Sequence, residues 1–286
     1  MVFKKIGNTD VNVPEIGIGT WEYKGGPDLL RKAVELGAAL IDTAEYYGNE
    51  DVVGRAIKGI RDQVFVATKT NHWRYQDVMS SAEASLKKLG TDRIDLYQLH
   101  WPNAAVPVEE TMAAMEELVD QGKVKYLGVS NFSIKEMQRA QAALRKQSLV
   151  SNQLRYSLIE RTIEPRILPY CQQHQITILA YSPLGRSFQK VTEADSADVL
   201  GVVARAAGKT RAQVALNWCI GKTGVVAIPK TESERHLVEN CASSGWRLTE
   251  EHTRLLDRSI RFRRRSSPEA ALRRLVRNTL QRIRGA

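Results

Sequence analysis

Short apolar runs alternate with longer stretches in which apolar residues recur at helical spacing, and the alternation repeats along most of the chain. The run 15–20 is followed by a helical pattern at 28–36, 39–44 by 49–60, 64–69 by 76–89, and 94–100 by 108–121. The pattern continues with 124–130 and 134–144, then 150–156 and 165–174. It closes with 177–181 followed by 197–207 and 211–220, and 224–228 followed by 232–243. Runs of strand length interleaved with helices predict a parallel sheet, because each parallel crossover needs a helix and one sheet face must be covered. Eight such units make a closed (β/α)8 TIM barrel the economical solution. A doubly wound open sheet is the runner-up, but no G-x-G-x-x-G follows an early strand.

The flanks differ from the repeat. Apolar residues in Val2-Phe3-Lys4-Lys5-Ile6 and Val11-Asn12-Val13 surround the polar Gly7-Asn8-Thr9-Asp10, which predicts an N-terminal β-hairpin. Gly37, Gly90, Gly122 and Gly208 fall just after helical patterns, where a left-handed residue ends a helix. A further helix is expected at 248–259, with Thr249 as N-cap and Glu250 and Glu251 in its first turn. Beyond it the chain turns basic. Arg261 to Ser267 reads as an Arg-Ser linker, and 268–283 places Leu272, Leu275, Val276, Thr279 and Ile283 on one stripe. The expected organisation is one barrel domain over 1–260 and a basic amphipathic C-terminal extension over 261–286.

Composition supports a single large core: 286 residues with 43% hydrophobic content slightly exceed the roughly 250 residues of a typical eight-fold barrel. Neither a signal-peptide run nor a stretch near the ~18 apolar residues of a membrane span is present, so a cytoplasmic protein is expected. Cys171, Cys219 and Cys241 are odd in number and widely spaced, which implies neither a disulfide framework nor a zinc site. The net charge of +10 is not spread along the chain. Residues 258–286 hold ten Arg against the single acid Glu269, which leaves about one positive charge for residues 1–257. An anionic partner, if any, therefore belongs to the tail.

Candidate chemistry gathers where the apolar runs stop, on the side of an α/β barrel that carries catalysis. Asp42 and Tyr47 bracket a strand-to-helix turn in Ile41-Asp42-Thr43-Ala44-Glu45-Tyr46-Tyr47-Gly48-Asn49-Glu50, Lys69 ends the third run, and His100 ends the fourth. Singly, these read equally well as a helix cap, a surface aromatic, a solvated loop end and a core histidine. Jointly, an Asp and a Lys at adjacent strand ends would pair, and a Tyr beside that Lys is expected to titrate below its usual value of about 10. Such a Tyr near a His is a proton donor.

Seven motifs in order, covering residues 3–257, resemble the aldo-keto reductase family. They are Gly17-Ile18-Gly19-Thr20-Trp21, Asp42-Thr43-Ala44-x-x-Tyr47-Gly48-Asn49-Glu50, Ala67-Thr68-Lys69, Leu99-His100-Trp101-Pro102, Gly128-Val129-Ser130-Asn131-Phe132, Ala180-Tyr181-Ser182-Pro183-Leu184-Gly185 and Ile228-Pro229-Lys230. The resemblance implies a barrel that reduces aldehydes or ketones with NADPH and no metal, NADH being possible. It makes Tyr47 the general acid, Lys69 and Asp42 the pair that tunes it, and His100 the group that orients the carbonyl. For the cofactor it implies Gly19, Thr20, Trp21 and Asp42 at the mouth, and Ser130, Asn131 and Gln153 on the carboxamide. Tyr181 then stacks on the nicotinamide, Ser182, Leu184 and Gly185 form a phosphate loop, and Ile228, Lys230, Thr231, Arg235, Glu239 and Asn240 meet the adenosine end. Where many members carry Arg three residues before the Glu-Asn pair, this chain carries His236, with Arg235 as its neighbour. A one-residue shift on a helix rotates a side chain by about 100°. Trp21, Tyr47, Trp73, His100 and Trp101 are the expected substrate contacts, with Tyr46 and Phe132 beside them. The short loop 101–107 predicts a shallow, open pocket.

Three other readings compete. A cofactor-sensing module of the same fold would lack turnover, and the intact Asp42, Tyr47, Lys69 and His100 set argues against it. A metal-dependent sugar isomerase would have only Asp42, Glu45 and His100 as ligands, with Lys69 repelling the cation. The extension at 261–286, read as an appendage unnecessary for chemistry, could cover its own barrel, a second subunit or an anionic surface.

Overall fold

The computed structural model describes residues 1–262 together with Val276 and Thr279. The extension expected over 261–286 thus lies outside the described residues, apart from Arg261, Phe262 and those two positions. An antiparallel hairpin of β1 (Phe3–Lys5) and β2 (Asn12–Pro14) comes first. The barrel strands are β3 (Ile18–Gly19), β4 (Leu40–Asp42), β5 (Phe65–Thr70), β6 (Ile94–Leu99), β7 (Val124–Ser130), β8 (Leu149–Arg155), β9 (Thr177–Tyr181) and β10 (Val225–Ile228). All are parallel to their neighbours, and sheet order follows chain order. A parallel bridge from Ile16 to Ala227, with Gly19 N–H donating to the Pro229 carbonyl at 3.2 Å, joins the two edges. Gly19 of β3 is needed for that seam, and Gly17 just before it for the close approach to β4. A Cβ on Gly19 would lie 2.9 Å from the Ile228 oxygen, and one on Gly17 would lie 2.7 Å from Leu40.

Helices α1 (Gly26–Glu35), α2 (Glu50–Ile57), α3 (Tyr75–Leu89), α4 (Val108–Asp120), α5 (Ile134–Ala143) and α6 (Ile167–Gln173) cover the outside. They are followed by α7 (Phe188–Ala194), α8 (Val199–Ala207), α9 (Arg211–Ile220), α10 (Glu234–Cys241) and α11 (Glu250–Ser259). Alternation along each strand builds two cores. Leu40, Ala67, Leu96, Val150, Leu179 and Val226 fill the barrel lumen, and Ile6 and Val13 of the hairpin join them as its floor. Their neighbours, including Ile41, Val66 and Tyr97, pack outward against the helices.

The expected units are all present, with shifted ends. Helix α2 stops at Ile57 rather than residue 60, because Lys58 is extended and Gly59 takes φ +81°. The four predicted stop glycines are left-handed, with φ from +62° to +87°. Thr249 caps α11 by accepting from His252 N–H. Helix α7 was not foreseen: over seven residues it buries only Val191, too little to leave a periodic signal. No helix among the described residues is long and apolar enough to cross a membrane.

Candidate active site

The period of two that sends Leu40, Ala67 and Leu96 into the lumen also sends Asp42, Lys69 and Gln98 there, one pleat nearer the C-terminal mouth. Lys69 is fully buried, and its Nζ lies 2.7 Å from Asp42 Oδ2, 2.6 Å from the Thr43 carbonyl and 3.3 Å from the Tyr47 hydroxyl. Tyr47 arrives on a 3-10 turn, Glu45–Tyr47, which ends at left-handed Gly48. His100 follows β6 and meets the Tyr47 ring edge-on at 5.7 Å. Four side chains from three strand ends thus converge, the longest-range contact among them, Tyr47 to His100, joining residues 53 apart in the chain.

Electrostatics correct one expectation. The sequence predicts a Tyr47 that loses its proton easily, but burial pushes its hydroxyl above the ordinary value, and Lys69 only partly offsets the rise. A phenol in low dielectric resists becoming an anion even beside a cation. Tyr47 is therefore a neutral hydroxyl at neutral pH. Burial disfavours the Lys69 charge, yet Asp42 and Tyr47 together outweigh it and hold the ammonium above its usual value. Burial likewise raises Asp42, against donors from Lys69 and Gln153.

Burial, reinforced by Lys69, lowers His100 to about 3. Its imidazole is neutral at pH 7 and can donate or accept a hydrogen bond at the mouth. Between about pH 3 and 6.5 the unfolded chain then binds a proton at this position that the folded chain does not, so stability is full above pH 6.5 and falls on acidification. Replacing His100 by Gln should make the urea midpoint less sensitive to a drop from pH 7.5 to 5. Parallel pH slopes for the two proteins would contradict a neutral, buried imidazole.

Beside the tetrad, Ser130, Asn131 and Gln153 gather as expected. Ser130 Oγ donates to the Gln153 carbonyl, Asn131 Nδ2 to Ser130 Oγ and to the His100 carbonyl, and Tyr181 OH to Asn131 Oδ1. Asn131 and Ser182 hold φ of +64° and +50°, a strain that fits residues aimed at a ligand. Gln153 also donates to Asp42 Oδ1 at 2.7 Å, linking this group to the tetrad. A cleft of about 600 Å³ opens between α8, α9 and α10, lined among others by Leu184, Lys230, Thr231, Arg235, His236, Glu239 and Asn240. Arg235 lines it together with His236, the two side chains meeting at 3.1 Å, so the one-residue shift does not take the Arg out of the cleft. Lys230 pairs with Glu232 at 2.8 Å, and Gly185 takes φ +74°. Gly19, Thr20 and Ile228 are buried at the seam of the barrel. Lys230 and Arg235, with Arg205, Lys209 and Arg211 beside them, make this cleft cationic, which suits an anionic ligand.

Aromatic rings surround the mouth. Trp21 stacks on Tyr46 at 6.2 Å and meets Tyr47 edge-on at 5.0 Å, and His100 stacks on Trp101 at 6.3 Å. Trp73 is tied in by donating Nε1 to the Trp101 carbonyl. Phe132 is different from expectation. It is buried in the core and reaches only a second cleft of about 440 Å³ beneath loop 101–107. Among the described residues, no group of three or more His, Cys, Asp and Glu could hold a metal ion.

Several contributors were not singled out from sequence. Asn49 is buried, and it accepts from Thr43 and Thr20 hydroxyls while donating to the Thr20 carbonyl, although its place before α2 reads as an N-cap. Gln98, one pleat from His100, is a buried lumen residue that helps stabilise the Asp42 carboxylate beside Lys69 and Gln153. The strand period alone could have flagged it.

Residues 15–261 match the profile described as the Aldo/keto reductase family. The chain is 39% identical to methylglyoxal reductase YeaE of Escherichia coli over 262 residues, spanning 87% of this chain and 92% of that one. An aldo-keto reductase from Klebsiella pneumoniae solved in complex with NADPH superposes with a TM-score of 0.82 at 37% identity, over 93% of this chain and 98% of that one. A thermostable aldo-keto reductase, Tm1743, solved with the inhibitor epalrestat, gives a TM-score of 0.83 at 37% identity over 90% and 99%.

Proposed function

The chain belongs to the aldo/keto reductase family, and we propose that it reduces aldehydes or ketones with NADPH, using Tyr47 as the general acid. The observation that carries this reading is the buried Lys69 ammonium, 2.7 Å from Asp42 and 3.3 Å from the Tyr47 hydroxyl, with a neutral His100 across the mouth. NADPH, when bound, supplies the hydride that reaches the carbonyl carbon. As negative charge grows on the carbonyl oxygen, the neutral Tyr47 hydroxyl gives up its proton there, and Lys69 stabilises the phenolate left behind. That stabilisation is larger in the transition state than in the ground state, which is what accelerates a reaction. His100, uncharged, holds the carbonyl oxygen by a hydrogen bond. Asp42 keeps Lys69 charged and, through Gln153, aligned with the carboxamide site formed with Ser130 and Asn131.

Trp21, Tyr46 and Trp101 are exposed at the mouth, and none of these three side chains carries a charge. Because a similar protein is a methylglyoxal reductase, methylglyoxal and a reactive aromatic aldehyde are the first substrates to test. Loss of nicotinamide absorbance on mixing with NADPH is the expected result. Absence of turnover across a panel of aldehydes and ketones, with NADPH bound, would leave a binding module instead.

The cationic cleft end predicts cofactor choice. Lys230→Ala should weaken NADPH by roughly 10- to 150-fold, the range for a lost charge-assisted hydrogen bond of about 1.5–3 kcal/mol, while NADH is nearly unaffected. Glu232 competes for the same ammonium, which favours the lower part of that range. Cofactor fluorescence titration checks it, and equal weakening of both cofactors would show that Lys230 does not meet the extra phosphate that distinguishes NADPH from NADH.

A further inference from the structure

We propose that Glu45 is a positioning residue, a brace that fixes the Tyr47-bearing turn against the strand that carries Lys69. The idea rests on Tyr47 being the acid. Tyr47 and Lys69 belong to different elements, and the 3.3 Å between them depends on how the turn Glu45–Tyr47 sits against the end of β5. Within the turn, backbone bonds are only local: Tyr47 N–H donates to the Ala44 carbonyl and Gly48 N–H to the Glu45 carbonyl. These shape the turn without attaching it to β5.

Lys69 holds the Thr43 carbonyl just before the turn, and the Glu45 side chain attaches the turn itself. Its Oε1 accepts from the Thr70 hydroxyl at 3.2 Å and from the Asn71 backbone N–H, the two positions directly after Lys69. Its Oε2 accepts from Ser81 of α3, and Ser81 in turn contacts the buried Tyr97 hydroxyl of β6 at 3.2 Å. His72 Nε2 lies 3.7 Å from Oε1. A carboxylate with donors from β5, its following loop and α3 fixes both its own rotamer and the backbone that bears it. Tyr46, the next residue, is 68% exposed and stacks on Trp21 rather than holding the turn to β5. At the other end of the segment Asn49 performs the matching task, binding Thr20 and Thr43. The turn is thus pinned on both sides of Tyr47, and Glu45 is the pin nearer Lys69.

Two substitutions separate length from charge. Glu45→Gln keeps the arm and an oxygen for Asn71 N–H, whereas Glu45→Asp keeps the charge but withdraws the carboxylate by one methylene. A misplacement of about 1 Å can lower a rate by about 10²-fold, so Glu45→Asp should reduce kcat by about 10- to 100-fold. The NADPH Kd should stay within a few-fold, and Glu45→Gln should stay near the parent. Ser81→Ala, which removes one anchor from the far side, should lower kcat in the same direction by a smaller factor. In the Tyr47→Phe background, Glu45→Asp should add no further loss, because its effect passes through the hydroxyl that is gone. Parent-like kcat in Glu45→Asp, a Gln variant as impaired as the Asp variant, or full additivity with Tyr47→Phe would each overturn the brace. Parent-like turnover in Tyr47→Phe alone would instead overturn the acid assignment, so the two failures are distinguishable.

Discussion

Tyr47→Phe is expected to lower kcat by about 10²- to 10⁴-fold, the range for losing a positioned general acid, while NADPH affinity stays nearly unchanged. The substitution removes only the hydroxyl that sits 3.3 Å from Lys69. The ring that packs edge-on against Trp21 at 5.0 Å and His100 at 5.7 Å remains, so the mouth keeps its shape. Without the Tyr47 proton, the alkoxide left by hydride transfer has only the neutral His100 imidazole and water to turn to, both weaker acids than a phenol. Single-turnover measurement of hydride transfer with a saturating aldehyde reads the step directly. Near-parental turnover would sink the assignment of Tyr47 as acid.

The second large effect is on the fold as well as the rate. Lys69→Met should abolish measurable turnover and destabilise the protein by about 3–5 kcal/mol, because removing one partner of a buried ion pair leaves the other charge uncompensated. Asp42 is that other charge, with its side chain only 3% exposed. Its carboxyl, already raised by burial with Lys69 present, rises further without it. A group whose value is raised by folding stabilises the fold at pH below its unfolded value, and that contribution is lost as pH climbs through the folded value. The deficit of Lys69→Met should therefore shrink on acidification and grow towards alkaline pH. Asp42→Asn in the same chain should recover much of the stability and none of the turnover. Urea unfolding at pH 5 and pH 8 tests both statements; a deficit independent of pH, unrelieved by Asn, would mean that packing and not charge dominates.

Periodicity was enough to predict the eight units, because a parallel barrel demands a helix per crossover and writes that demand into the spacing of apolar residues. It also places Asp42, Lys69 and His100 at strand ends, and the order of strands then brings those ends to one mouth. What local pattern cannot carry is contact between distant segments. Gln153 reaches Asp42 across 111 residues, and Glu45 reaches Ser81 across 36; neither spacing has a local signature. Helix α7 escapes for a related reason, since seven residues with one buried side chain leave no stripe to read. The direction of the Tyr47 shift is the clearest case. The sequence by itself determined that a cation stands beside the phenol, which argues for a lowered value. Only the tertiary structure decided how much water both groups lose, and with Lys69 fully buried the desolvation of the phenol outweighs the attraction of the charge beside it.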